Sequence, residues 1–227
     1  MTGSTLTIDL GGEPVLLDGD RAMVWDGHVF VADVHLDKAA TFQRAGIAVP
    51  LGDEGADLAR LAALAARHGA TELVVLGDLV HAPPRPGGPT ERALLAWQAA
   101  HPALRLSVVL GNHDRDAARR LAHWPVRWWP EETALGPFRL RHAPEGRRDA
   151  RQELAGHVHP VVRLRGRRDA LRLPVFWQHP GGLVLPAFGA FTGGHRIEPG
   201  PEDRLVAVTG GQLLPLDGQR PAAASRG

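Results

Sequence analysis

The sequence predicts an α/β protein in which two sheets pack face to face with helices outside them. Three observations carry this expectation. Short apolar, β-rich runs at 29–32, 73–77 and 106–110 each stop abruptly at polar residues; stretches of helical spacing separate them; and the second half of the chain changes to short strand-like runs. Strands separated by helices pair in parallel, and open α/β sheets bind ligands at the carboxyl ends of their strands. The polar residues at the three ends are Asp33 and His35, then Asp78 and His81, then Asn112, His113 and Asp114. They should meet in one crevice.

Each element follows from a local pattern. Thr5 to Leu10 alternates polar and apolar residues, apolar residues recur at 15–17 and 22–25, and Asp26-Gly27 is a hairpin signal, so antiparallel strands should open the domain. The segment 36–50 has weak periodicity and suits a loop or short helix at the crevice rim. In 53–68, Leu58, Leu61 and Leu64 make one apolar helical face, and Gly69 is a stop. After a Pro/Gly-rich loop at 83–89, Thr90 is expected to cap a helix carrying Leu94, Leu95 and Trp97. A short helix is expected over 117–123, then strands at 138–142, 161–165, 171–177, 183–188 and 205–208. Trp128-Trp129 should cover core. The expected organisation is one domain over 1–216 with a flexible tail at 217–227.

Composition narrows the chemistry. With 44% hydrophobic and 22% charged residues among 227, the chain is an ordinary globular one, and no apolar run reaches the roughly 18 to 20 residues a membrane helix needs. Asp9, Glu13, Asp18 and Asp20 stand where a secretory signal would need a basic start and an apolar core, so a cytoplasmic protein is expected. There is no Cys, so any metal must be held by imidazole, carboxylate and amide oxygen, a set that suits Mn, Fe or Zn. A net charge of +1 gives no global pull toward nucleic acid.

On an extended backbone the side chains of Asp33-x-His35 project to one side and could bind one ion, and His157-x-His159 repeats that spacing. A dinuclear site also needs a carboxylate shared by both ions; Asp78, directly after Gly77, is the natural bridge. Asn112 offers an amide oxygen, and His142 follows an alternating strand. Each motif alone is common by chance. Their conjunction, in this order and with strand patterns before the first three, is the signal.

That ordered set, Asp-x-His, Gly-Asp-x-x-His, Gly-Asn-His-Asp, an isolated His and Gly-His-x-His, resembles the calcineurin-like metallophosphoesterases over nearly the whole chain. The resemblance implies a four-layer α/β/β/α sandwich and two divalent ions, Mn first, with Fe or Zn as alternatives. It puts Asp33, His35 and His159 on one ion, Asn112, His142 and His157 on the other, and Asp78 between them. His113 would contact the phosphate and protonate the leaving oxygen, with Asp114 orienting it. Water activated by the ions would attack phosphorus in line, without a covalent enzyme intermediate. Position 81 is His where the commoner pattern has Asp, and His81 is assigned to substrate or to support of the site.

Lys38, Phe42, Gly46 and Pro50, together with the stretch 185–194, resemble more closely the bacterial DNA-ligase-associated metallophosphoesterases. This implies an endonuclease of the DNA damage response with DNA as substrate, and a DNA ligase, a helicase and an exonuclease as partners. Lys38 and Arg44 follow the first ligand pair, and Arg163, Arg165, Arg167, Arg168 and Arg172 follow His159, so both basic groups should border one crevice and guide a phosphate backbone. Phe188 and Phe191 are expected to pack in the core. The competing readings are a phosphatase or nucleotide pyrophosphatase for small substrates, and a scaffold without turnover.

Overall fold

The computed structural model describes residues 3–38, 54–165, 170–189 and 192–216. The first sheet has seven strands in chain order: β1 (Thr5–Leu10), β2 (Glu13–Asp18), β3 (Ala22–Trp25), β4 (His28–Val31), β5 (Glu72–Val75), β6 (Arg105–Val109) and β7 (Arg127–Trp129). Strands β1 to β4 form antiparallel hairpins, and β4 to β7 run parallel. The β3–β4 turn is built by Asp26 and Gly27 at φ 45° and 73°, the two positive values a two-residue turn of matching twist requires.

Helices α1 (Glu54–Arg67) and α2 (Pro89–Ala100) join the parallel strands, and α3 (Asp114–Arg120) precedes β7. Two boundaries differ from expectation. The α2 N-cap is Gly88, not Thr90, because Pro89 takes the first helical position, where its missing N–H costs nothing. The third helix begins at Asp114 and not at 117, directly on the ligand-type residues.

Strand alternation decides which core each residue enters. On β4 and β5, Val29, Val31, Leu73 and Val75 face the helices, against Leu58, Leu61 and Leu64 of α1. The intervening Phe30 and Val74 face the other way. There they meet the second sheet: β8 (Glu132–Leu135), β9 (Phe138–Arg141), β10 (Gln152–Ala155), β11 (Pro160–Arg165), β12 (Ala170–His179), β13 (Gly182–Val184), β14 (His195–Arg196), β15 (Arg204–Thr209) and β16 (Gln212–Pro215). Its order is β14-β11-β12-β13-β10-β9-β8, with β15 pairing β12 and β16. Phe30, Phe138 and Phe176 fill the space between the sheets, each burial stabilising by about 2 to 3 kcal/mol. Trp128 packs on the helix-side core and Trp129 lies in the inter-sheet core, so the Trp pair covers both.

The two packed mixed sheets are as expected. All three described helices lie on the first sheet; among the described residues the outer face of the second carries only a small cluster including Val162, Leu173, Val175 and Ile197. Strands β7, β8, β10, β14 and β16 were not anticipated, being short segments without clear alternation. Among the described residues no helix is long and apolar enough to cross a membrane.

Candidate metal centre

Three ligand loops leave the carboxyl edge of the first sheet side by side. Their backbones continue the parallel pairing: Asp33 N–H donates to Gly77 O at 3.2 Å, His35 N–H to Asp78 O at 2.9 Å, and Leu36 N–H to Leu79 O at 2.9 Å. The side chains are aimed by backbone twist and not by strand alternation. Asp33, His35, Asp78, His157 and His159 all have positive φ, between 48° and 66°. An L-residue adopts this conformation at a cost, met where surrounding structure enforces it. The extended geometry expected for both x-spaced pairs is therefore corrected, while His157 and His159 divide between the groups that the family resemblance implied.

Those two histidines part company. Asp33, His35 and His159 form one group and Asp78, His142 and His157 another, with the ligand atoms of each group within 4.8 Å of one another. Asn112 joins the second group, its Oδ1 lying 2.9 Å from His142 Nε2. The same nitrogen lies 3.3 Å from Asp78 Oδ2 and 3.0 Å from His157 Nδ1. His142 Nδ1 lies 3.0 Å from Leu76 O, so donation to that carbonyl leaves Nε2 as a lone pair beside two oxygen acceptors and the His157 ring nitrogen. Such a cluster suits a cation, either a proton on the ring or a metal ion.

The first group has the same character. His159 Nδ1 faces Gly193 O at 3.1 Å, which directs Nε2 to Asp33 Oδ1 at 3.2 Å. That oxygen is buried with no hydrogen-bond partner, as is His35 Nδ1. Asp78 Oδ2 stands between the groups, 3.9 Å from His35 Nε2 and 3.3 Å from His142 Nε2. The donor set and its orphaned acceptors fit two divalent ions sharing Asp78.

Electrostatics differ between the two buried imidazoles. Burial, aided by Lys38, His159 and His81, pushes His35 down to about 3, so its ring is neutral at physiological pH. Burial works against His142 too, but the Asp78 hydrogen bond and charge, with Asp33, outweigh it and raise the ring to about 9. Asp78 moves the opposite way: burial raises it, while His142, the His113 N–H and His35 bring it below the usual carboxylate range.

Glycines make the crowding possible. A Cβ on Gly111 would stand 2.3 Å from Asp78 Oδ1, and one on Gly77, at φ 80°, 2.3 Å from the His142 ring.

The expected catalytic pair divides. His113 lies at the rim, its side chain 38% exposed and its Nε2 4.0 Å from Asp78 Oδ2. Asp114 does not orient that ring. Its carboxylate instead accepts N–H groups from Asp78 at 2.6 Å, Gly111 at 3.1 Å and Val80 at 3.4 Å. Burial and the Asp78 charge raise Asp114 to about 7 against these donors. His81 stacks on His113 at 5.2 Å and meets His35 edge-on at 5.5 Å, outside both ligand groups.

Lys38 is half-buried, and burial lowers its pKa against the attraction of Asp33 and Asp78. Arg163 is exposed on β11, opposite Arg172 of β12. Arg44, Phe42, Gly46, Pro50, Arg167, Arg168, Phe191 and the expected tail lie outside the described residues, as does the side chain of Arg165.

One contribution escaped sequence reasoning. Residues 185–189 run along the end of β4, with Ala187 bridging Ala32, Phe188 N–H bonding Ala32 O at 2.8 Å and Gly189 N–H bonding Asp33 O at 3.2 Å. The late Phe-Gly stretch thus braces the Asp33 loop while Phe188 fills the helix-side core. The Gly after the Phe was the available signal, for a Cβ there would meet Val34 O at 2.4 Å.

Comparison with solved structures finds the Pseudomonas putida nuclease MPE at TM-score 0.80 and 37% identity, over 94% of this chain and 100% of that one. The phosphoesterase Yfce from E. coli aligns at TM-score 0.40 and 18% identity, over 81% of this chain and 88% of that one, a likeness too slight to carry an argument. No family model and no curated protein matched the chain.

Proposed function

The chain belongs to the metallophosphoesterase family, and from that premise we propose that it is a metal-dependent phosphodiesterase that cuts DNA. In this reading Asp33, His35 and His159 hold one divalent ion, Asn112, His142 and His157 a second, and Asp78 serves both. The observation that carries it is the meeting of two acceptor-lined groups at Asp78 Oδ2. Likeness to a nuclease over nearly the full chain supports a nucleic-acid substrate. Mn²⁺ is the proposed ion, in keeping with a thiolate-free set of imidazole, carboxylate and amide donors that also accepts Fe or Zn.

When bound, the two ions supply the positive charge that grips phosphoryl oxygens and makes water acidic enough to attack phosphorus near neutral pH. The protein's own residues do the rest. His35 offers an uncharged ring, because burial keeps it unprotonated. His113, exposed at the rim, can donate from Nε2 to the oxygen that leaves, and the stacked His81 ring holds its plane. Asp114 keeps the Asp78 and Asn112 loops in register through their backbone N–H groups. Lys38 adds positive charge beside Asp33 and Asp78. A repair setting with ligase, helicase and exonuclease partners completes the proposal; it is supported by the residues that follow Asp33-x-His35 and by the stretch 185–194.

Parallel assays with Mn²⁺ on an aryl phosphodiester, an aryl phosphomonoester and single- and double-stranded oligonucleotides test the reading. Diester and oligonucleotide cleavage are expected. Hydrolysis of the monoester alone would overturn it.

A further inference from the structure

A cavity of about 340 Å³ opens on the Nδ1 side of the His159 ring, away from Asp33. Its walls come from both sheets. Arg21 reaches it from the β2–β3 turn: β3 runs antiparallel to β4, so the residue before β3 lies beside the residues that follow β4. Arg172 and Pro174 come from β12, Pro160 and Val161 from β11, and Ala187 and the stretch 192–194 add to the lining.

Each guanidinium is held at the wall by a carbonyl that also lines the cavity. Arg21 Nη1 donates to Ala187 O at 2.9 Å, and Arg172 Nη2 donates to Gly194 O. A guanidinium carries five N–H donors, so one such bond fixes it without exhausting it. Among the described residues no carboxylate lines the cavity. The acids that attract Arg21 also pair with other arginines, Asp20 with Arg67 at 2.8 Å and Asp57 with Arg60 at 2.8 Å. Two anchored cations at a wall that carries no described carboxylate, beside a centre suited to phosphoryl chemistry, make a site for an oxyanion.

We infer that Arg21 and Arg172 hold a second phosphate of a DNA strand, adjacent to the one being hydrolysed, and so set the enzyme's preference for polynucleotides over isolated diesters. The inference rests on the reading that the scissile phosphate lies over the groups meeting at Asp78. Apart from these arginines, His159 and Thr192, whose hydroxyl donates to Gly189 O at 2.8 Å, the described walls are Pro, Val and Ala side chains with a Gly-rich rim, which offer little to read a base edge, so the grip is on backbone and not on sequence.

The test compares TpT with pTpT and TpTp, substrates that differ by one added phosphate. In the wild type at least one added phosphate should raise kcat/KM about tenfold, the worth of a charge-assisted contact. In Arg21→Ala and Arg172→Ala variants that ratio should fall toward one. Because Arg21→Ala loses the Ala187 contact, the exposed Arg172→Gln serves as a second variant should Arg21→Ala fail to fold. Oligonucleotide binding in EDTA, read by fluorescence anisotropy, decides the subsite independently of turnover. Each lost arginine should weaken binding and flatten the salt dependence by about 0.7 of a unit of slope for a single strand.

If the wild type bound oligonucleotides but cut neither them nor TpT, the DNA-cleavage reading would fail and the subsite would stand. Equal binding by wild type and variants, no oligonucleotide binding by the wild type, or an undiminished phosphate ratio in the variants, would overturn the subsite.

Discussion

Asp114 and Glu153 are both buried to 0% exposure, and both accept backbone N–H groups, yet they serve different parts of the molecule. Asp114 takes the N–H groups of Asp78 and Gly111, joining the loops that present Asp78 and Asn112. Glu153 takes those of Glu145, at 3.0 and 3.2 Å, and Gly146, at 3.2 Å, and so ties down the loop between β9 and β10 beyond the ligand His142, at two residues that are not themselves expected ligands. The chemistry is the same. What differs is whether the tied residue is itself a ligand, as Asp78 is, so damage at Asp114 should reach metal binding, while damage at Glu153, which ties Glu145 and Gly146, should register as lost stability.

The largest effect sets the scale for that contrast. Asp78→Ala removes the carboxylate shared by both groups, and metal analysis should find at least one ion lost with hydrolysis nearly abolished; two ions retained in an active variant would sink the dinuclear assignment. His113→Ala should keep both ions, since the ring belongs to neither group. Its loss should be about 10² to 10⁴-fold on poor leaving groups and smaller on activated aryl esters. Equal losses across leaving groups would reduce His113 to a positioning role.

The buried carboxylates test the comparison directly. Asp114→Asn keeps the shape but weakens the hold on Asp78 and Gly111, and metal affinity should fall roughly 10 to 100-fold, measured by competition with a chelating dye. Glu153→Ala strands two N–H groups and should cost about 2 kcal/mol, read as a lower denaturant midpoint at unchanged m. Its metal affinity should stay at the wild-type value. A Glu153 variant that lost metal as readily as Asp114→Asn would show that the two halves form one coupled unit, and the contrast would be withdrawn.

Much of the fold is legible because its signals are local. Strands β1 to β6 and helix α1 follow from the alternation in Thr5 to Leu10, the apolar runs of the next five strands, Leu58, Leu61 and Leu64 at helical spacing, and the Asp26-Gly27 turn. The missed strands β7, β8, β10, β14 and β16 are two to four residues long, too short for a period to show, and they pair only because neighbouring strands offer an edge. The Thr90 cap failed for a local reason as well, since Pro89 satisfies the same helix start one residue earlier.

By itself the sequence determined the chemistry available to the centre: imidazole, carboxylate and amide donors without thiolate, four of them just past the ends of three buried strands. Tertiary structure decided how those donors group. His157 and His159, two residues apart, turn to different groups because both are held at positive φ, and Asp114 serves backbone and not His113 because the Asp78 loop lies against it. Spacing along a chain fixes direction only while the backbone is regular. Past the strand ends, direction is set by the neighbours that enforce the twist, and those come from distant parts of the chain.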